Sequence, residues 1–282
     1  MNVDILHLSD LHFGNPARHL RRRDVAQALD TLFSLLTATT SLVIVSGDIT
    51  FQGRKEGHIE AADALAEAID RQKLERTNVF LCPGNHDLVR ETDGVASFAS
   101  FDICSALVRR DKRCTFTGNS AQLIEHSSAD ILLLNSAHHL DHQFGLVDIP
   151  EVDRLLKTLP SEKDSRVGRL RLAVIHHHMI PVLSEDVSAI RNSYPLLTRL
   201  QRHGFSALLH GHQHALLGLN IGDSNMLLSG VGSFGFSTPG FINSAAIYRC
   251  SEGSIQSAEH FGLSLDASSG VVRISKVDGE PS

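Results

Sequence analysis

The sequence predicts a layered α/β fold. Three observations carry that expectation. Short β-branched apolar runs alternate with stretches of helical periodicity up to about residue 210. The remainder breaks into short strands joined by Gly, Asp, Ser and Asn turns. The polar clusters fall at the C-terminal ends of the expected strands, where open α/β sheets place their ligands.

The elements follow in order. VDILHLSD (3–10) is a short buried strand, and RRRDVAQALDTLFSLLTAT has helical spacing through Val25, Leu29, Leu32, Leu35 and Leu36. SLVIVSGD (41–48) is a strand, GHIEAADALAEAIDRQKL (57–74) a helix, and TNVFLCPGNHD (77–87) a third strand that runs into Pro83-Gly84-Asn85 turn chemistry. A helix is expected near residues 95–110. AQLIEHSS (121–128) and ADILLLNS (129–136) are strands, and PEVDRLLKTL opens with Pro150, suited to a first helical turn. GRLRLAVIHHH (168–178) is a strand, YPLLTRLQRHG (194–204) a helix and SALLHGHQH (206–214) a strand. The tail, from HALLGLNIGDSNMLLSG through NSAAIYRC to SGVVRISKV, is expected to form successive hairpin strands. With no internal repeat or low-complexity linker, residues 1–282 are expected to form one domain, with a motif-bearing core over about 4–250 and a β-rich tail over about 215–276.

Composition narrows the function. The 282 residues are 42% hydrophobic, enough for a substantial core. A net charge of -6 disfavours a broad nucleic-acid surface, though a local one stays open. The 4 cysteines contain no C-x-x-C pair, which fits buried free thiols in a reducing compartment. The N-terminal stretch lacks the basic and apolar regions of a signal peptide, and no apolar run approaches a membrane span. A cytoplasmic protein with no membrane partner is expected; nothing in the sequence sets an oligomeric state. The 17 histidines raise the expectation of metal binding.

Five distant segments carry candidate ligands: Asp10 and His12; Asp48; Asn85, His86 and Asp87; His176, His177 and His178; and His210, His212 and His214. Asp10-x-His12 and His212-x-His214 are spaced by two, which in an extended segment puts both side chains on one side, so each pair can grip one site. Carboxylates, one amide and several imidazoles, without a thiolate cluster, suit Mn(II), Fe or Zn and disfavour Ca or a Cys-rich structural zinc. Seven ligands exceed one tetrahedral ion but fit two divalent or trivalent ions that share a carboxylate. Two ions about 3.5–4 Å apart can hold a bridging water or hydroxide and polarise a phosphoryl oxygen. The carboxylate after VIVSG can bridge, with Gly47 leaving room for close approach.

The ordered set SDLH, GDIT, GNHD, HHH and GHQH resembles the calcineurin-like metallophosphoesterase superfamily, and within it the bacterial cyclic-nucleotide phosphodiesterase-like branch. NSAHHLDHQFGLVDIPEVDRLLKTL is similar to the family's Gly-containing turn followed by a helix. The resemblance implies a two-sheet β-sandwich flanked by helices. It also implies a dimetal phosphohydrolase for small phosphoester substrates, with phosphodiesters such as cyclic nucleotides leading and a metal-held hydroxide attacking. By position, Asp10, His12 and His214 would bind the first metal, Asn85, His176 and His212 the second, and Asp48 would bridge. His86 would be the general acid and Asp87 its orienting partner. At the fourth motif, where the family often has His-His-Pro, His176 is taken as the ligand and His177 stays the alternative. His210 is taken as a support for the ligands.

Rival readings are a phosphomonoesterase or protein phosphatase, a DNA nuclease, and a non-catalytic metal-binding scaffold. GDITFQG and GNHD differ from the GDxVDRG and GNHE of serine/threonine protein phosphatases and lack the Arg beside the phosphate. Every ligand position is filled, which weighs against a scaffold. Blander roles stand beside the functional ones. Asp48 can cap a helix, and Asn85 and Asp87 can form a turn. His7 reads as a core histidine, Cys82 as packing, and His138, His139 and His142 as a solvated loop. RHLRRRD, from Arg18, is an exposed helix start or a phosphate contact.

Overall fold

The structure is a computed structural model that describes residues 2–16, 20–90, 96–140, 143–160, 169–181, 184–223, 225–237, 239–266 and 268–277. The first part alternates strands and helices: β1 (Val3–Leu8), α1 (Arg22–Ser34), β2 (Thr40–Ser46), α2 (Lys55–Arg71) and β3 (Val79–Cys82). A short hairpin, β4 (Val89–Arg90) and β5 (Ala96–Ser97), leads to α3 (Ala99–Arg109), β6 (Ala121–Glu125) and β7 (Ala129–Leu134). Then come α4 (Ile149–Leu156), β8 (Leu170–Ile175), α5 (Ser193–Arg202) and β9 (Ala207–His210). The tail is all strand: β10 (Leu217–Ile221), β11 (Met226–Gly230), β12 (Ser244–Ser251), β13 (Ser254–Leu265) and β14 (Val272–Lys276). Pro150 sits in the first turn of α4, where its missing N–H costs nothing, and Asp148 caps that helix by accepting from the Glu151 N–H at 3.2 Å.

The strands form two six-stranded mixed sheets, ordered β14-β13-β12-β1-β2-β3 and β10-β11-β9-β8-β7-β6. In each, a parallel centre carries the site: β1, β2 and β3 in one, β7, β8 and β9 in the other. Alternation along β7 and β8 shows why the sheets stack. Ile131, Leu133, Leu172 and Val174 face the large core shared with the first sheet. Leu132, Leu134, Ala173 and Ile175 face a second core with Val152 and Leu156 of α4 and Leu196 and Leu200 of α5. Both faces of these strands are covered, so they read as continuous apolar runs. α1 and α2 contribute Val25, Leu29, Leu65 and Ile69 to the first core. The expected sandwich flanked by helices is therefore the observed fold.

Expected boundaries shift where the polar clusters begin. The strands end at Leu8, Ser46, Cys82, Ile175 and His210, so every candidate ligand except His210 itself lies beyond them. Asn85–Asp87 forms a 3-10 turn rather than the end of a strand. His142, Arg18 and His19 lie outside the described residues. Arg22, from the same basic run, opens α1 and pairs with Glu67 at 2.6 Å. Among the described residues no helix is long and apolar enough to cross a membrane.

All four cysteines are free and buried. The Cys82 thiol lies 3.1 Å from the Leu134 carbonyl across the two sheets. Burial pushes the thiols of Cys82 and Cys104 far up, Cys250 to about 12 and Cys114 to about 11. Native protein at pH 8 is expected to show no rapid reaction with DTNB, and four thiols after unfolding in guanidinium. A fast-reacting thiol in the folded protein would contradict this packing.

Candidate metal centre

The turns after β1, β2, β3, β8 and β9 meet at one rim, where the two sheets are stitched together. The His176 Nδ1–H donates to the Ser46 carbonyl at 2.8 Å, joining the end of β8 to the end of β2. The Asp10 N–H donates to the Gly47 carbonyl and the His12 N–H to the Asp48 carbonyl, each at 3.0 Å. Gly47 has φ +99, and a Cβ there would lie 2.5 Å from His176 Nδ1. Only glycine allows this backbone shape and this approach. At Gly84 a Cβ would lie 2.2 Å from Asp48 Oδ1. The glycines of GDIT and GNHD are therefore spacers that let neighbouring motifs close up.

Two groups of side chains gather here, each with its ligand atoms within 4.8 Å of one another: Asp10, His12 and His214; and Asp48, His176 and His212. Asp10 Oδ1 lies 3.1 Å from His214 Nε2 and 3.6 Å from His12 Nε2. His176 Nε2 lies 3.3 Å from Asp48 Oδ2 and 3.1 Å from His212 Nδ1. Such spacings suit N and O donors each about 2.0–2.2 Å from a shared ion. Asn85 is buried, and its Oδ1 has no hydrogen-bond partner among the described residues. A buried amide oxygen without a donor is what a cation ligand leaves when the protein is considered alone. His176 spends Nδ1–H on a carbonyl and turns Nε2 inward, as metal-binding imidazoles do. The donor set therefore fits two cations.

Backbone geometry corrects one expectation. Asp10, His12, His212 and His214 have φ of 54°, 48°, 71° and 55°, and Asp48 has 52°. These residues are left-handed, not extended, so alternation along a strand does not govern them. Asp10 and His12 still share a group, but His212 and His214 part, one to each. His176, not His177, joins Asp48 and His212. His177 Nδ1 meets the Ser136 hydroxyl at 2.7 Å.

Burial and charge oppose each other across the rim. Burial pushes the Asp10 carboxyl up, but His214, His12 and His176 outweigh it and hold it well below the usual range. Asp48 is likewise lowered, with burial overcome chiefly by His176 and His86. Burial lowers His176, yet Asp48 and Asp10 prevail and push it up to about 9. Burial and the neighbouring His176 take His212 down to about 3.

Asp87 is turned away from His86, contrary to its expected role. Its carboxylate accepts from the N–H groups of Gly84 (2.9 Å), Thr50 (3.0 Å) and Ile49 (3.2 Å) and lies 3.4 Å from His58 Nε2. It staples the Asp48 turn to the Asn85 turn. His86 is half-buried, and its N–H donates to Asp48 Oδ1 at 2.8 Å. Its ring stacks on Phe51, with centroids 5.6 Å apart and planes 11° apart.

Other histidines find packing roles. His7 is buried between Ser46 Oγ (2.8 Å) and Tyr248 Oη (3.3 Å), as a core histidine should be. His210 is buried outside both groups, and burial takes it down to about 4. His138 and His139 are half-buried rather than solvated, with His139 stacked on Phe144. Asp186 carries no motif that marks it in the sequence. It accepts from His178 Nε2 at 2.6 Å and from the Gln213 amide, tying the loop before α5 to the two histidine motifs. His58 and Phe51 were also missed, since each reads as an ordinary helix or turn residue.

Asp87→Ala would leave three inward-facing N–H groups without an acceptor. It should lower stability by about 3 kcal/mol or more, at roughly 1–3 kcal/mol per stranded group. A thermal melt with an unchanged Tm would exclude the staple.

The family model described as calcineurin-like phosphoesterase matches residues 3–216. No curated protein sequence matches the chain significantly. Among solved structures it is similar to a dimetal phosphatase from Danio rerio, with TM-score 0.58, 13% identity and coverage of 89% of this chain and 96% of the other. It is also similar to phosphopantetheinyl hydrolase from Mycobacterium tuberculosis, with TM-score 0.51, 16% identity and coverage of 82% and 90%. A third likeness is to a purple acid phosphatase from yellow lupin (Lupinus luteus), with TM-score 0.56, 13% identity and coverage of 97% and 53%. At these identities the structural likenesses speak for the fold, and the family match speaks for the chemistry. The chain belongs to the calcineurin-like phosphoesterase family, whose members characteristically use a dinuclear metal site, and is a metal-dependent phosphoester hydrolase.

Proposed function

We propose that this protein is a dimetal phosphodiesterase acting on cyclic nucleotides or similar small phosphodiesters. The supporting observation is the juxtaposition of two ligand groups with a half-buried imidazole, His86, whose main-chain N–H is bound to Asp48. Asp10, His12 and His214 would hold one ion, Asn85, His176 and His212 the other, and Asp48 both. When bound, the ions supply Lewis acidity toward a phosphoryl oxygen and toward water.

The chain's own groups do the rest. The imidazoles around them hold the Asp10 and Asp48 carboxyls low, so both would offer ionised oxygens to the ions. Ser46 orients His176 through Nδ1, keeping Nε2 directed inward. His86 presents an N–H toward the departing alkoxide oxygen. A diester needs that help most, because an alkoxide leaves poorly without a donor. The Danio rerio protein's description as a dimetal phosphatase favours phosphomonoesters as the second reading.

Dialysis against a chelator should abolish hydrolysis, and Mn(II) should restore it. In a panel of cyclic nucleotides, glycerophosphodiesters, nucleic acid and monoesters, the first two are expected to turn over best. Turnover confined to monoesters would replace the diester reading with the second one. Asp48→Asn should lose bound metal and activity together. His86→Ala should keep its metal yet slow alkyl diesters by about 100-fold, and aryl diesters far less. Equal rates for His86→Ala and the parent on alkyl diesters would remove His86 from the reaction.

A further inference from the structure

Beside the metal rim lies a cavity of about 340 Å³ to which the reaction assigns no role. It sits between the β4–β5 hairpin, the loop before β6 and the turn after β7. Both flanks adjoin the site. The hairpin follows the Asn85–Asp87 turn directly. Asn135, next after β7, precedes Ser136, whose hydroxyl lies 2.7 Å from His177 Nδ1. The His177 ring is in turn 4.4 Å from that of His212. The cavity is therefore at the carboxyl ends of the strands, on the side of the second ligand group.

Its lining is mixed. Phe98 and Phe116, each 2% exposed, and Leu140 supply apolar walls. Leu140 is 44% exposed and holds φ of 63°, a left-handed setting that bulky side chains seldom take. Strain of this kind gathers at ligand sites. The other walls are held in place beforehand. The Asp102 carboxylate accepts from the N–H groups of Phe116 (2.7 Å) and Thr117 (2.9 Å). The Asn135 N–H donates to the Ser120 carbonyl at 2.9 Å.

Two polar features restrict what fits. The Ala137 N–H donates to Asn135 Oδ1 at 3.0 Å, which fixes the way the amide is turned. Asn135 is 1% exposed, and its Nδ2 has no hydrogen-bond partner among the described residues. A buried N–H donor of this kind lacks only an acceptor. Among the described lining residues the one formally charged side chain is Asp148, which accepts from Ser120 Oγ at 2.8 Å and from the Glu151 N–H at 3.2 Å. An acidic wall disfavours phosphate. The cavity suits an uncharged group with a carbonyl and a flat apolar surface.

We propose that this cavity receives the base of a cyclic nucleotide, with Asn135 Nδ2 donating to a base carbonyl, so that oxo bases are preferred to amino bases. This rests on the phosphodiesterase reading and names the part of the substrate which that reading leaves open. The cavity is near the lower end of the usual range for small-molecule pockets, about 300–1,000 Å³, and takes one base rather than a nucleic-acid strand. The phosphate stays with the ions while the base is held beside them. Asn135 is a specificity residue and touches no reacting atom.

The test uses full-length, metal-loaded protein. Cyclic inosine monophosphate and cyclic adenosine monophosphate differ at one edge of the base, carbonyl against amino. KM for the inosine compound should be about tenfold lower at similar kcat. Equal KM values would overturn the proposal. Asn135→Asp keeps the oxygen that meets Ala137 and exchanges the N–H donor for an acceptor. It should raise KM for the inosine compound about tenfold more than for methyl p-nitrophenyl phosphate, a diester without a base, and retain bound metal. Equal rises for the two substrates would overturn the assignment. Thr117→Trp, at an exposed position on the wall, should narrow the cavity and raise KM for both nucleotides more than for the base-free diester. Nucleotide KM values like the parent's would count against the cavity. The side-chain amide signals of Asn135, assigned by their absence in Asn135→Asp, should move in proton–nitrogen NMR spectra when inosine is added. If no diester is hydrolysed yet inosine moves them, the phosphodiesterase reading falls and the base pocket is upheld. Diester hydrolysis with no movement at millimolar inosine removes the pocket and leaves that reading intact.

Discussion

Three carboxylates, Asp10, Asp48 and Asp87, lie essentially without solvent contact at the rim where the two sheets meet. A buried carboxylate is costly unless something positive or proton-donating surrounds it. Asp87 is satisfied by three main-chain N–H groups. Asp10 and Asp48 also accept main-chain bonds, from His212 and His86, but their remaining oxygens face imidazoles. Neutral imidazoles cannot balance a carboxylate; cations held between them can. The demand for positive charge at this rim organises the rest of the molecule.

The answer is built mainly by the turn after β2. Within Gly47 to Gly53 it contributes a carbonyl to Asp10, a carbonyl to His12, the Asp48 carboxylate, and the N–H groups that receive Asp87. It also grips His86 at its main-chain N–H, its carbonyl and its ring. Such a turn must be stiff. It is fixed below by β2, a strand buried on both faces, and from the side by the Asp87 staple. The left-handed residues at Asp10, His12, Asp48, His212 and His214 carry a strain of roughly 1–2 kcal/mol each. Strain of that kind persists where surrounding structure over-determines it, and it concentrates at functional sites.

The two sheets contribute unequally. The first supplies the turns that bear Asp10, His12, Asp48, Asn85 and His86, and the second supplies His176, His212 and His214. Neither sheet alone completes a ligand group, because each mixes the two: Asp10 and His12 with His214, and Asp48 with His176 and His212. Formation of the site is thereby tied to packing of the inter-sheet core, with Ile5, Ile44 and Phe80 on one side and Leu133, Val174 and Leu209 on the other. The second core, under α4 and α5, anchors the loop that carries Asp186 to His178 and Gln213.

The sequence by itself determined the kind of chemistry and the layers. Apolar periodicity distinguished strands from helices. Carboxylates, an amide and imidazoles placed just past buried strands pointed to cations, because such groups are seldom buried there for packing. Local order could not reveal pairings made across the fold. His176 meets Ser46 over 130 residues and His214 meets Asp10 over 204. Which histidine joins which carboxylate depends on left-handed turns that reverse the side chains, and residue spacing assumes an extended chain. Asp87 stands next to His86 in sequence yet serves the turn of Asp48, while Phe51 and Gln52, far away along the chain, hold the ring. Only the stacking of the two sheets brings those turns to a common rim, and that contact decides which neighbours each polar group has.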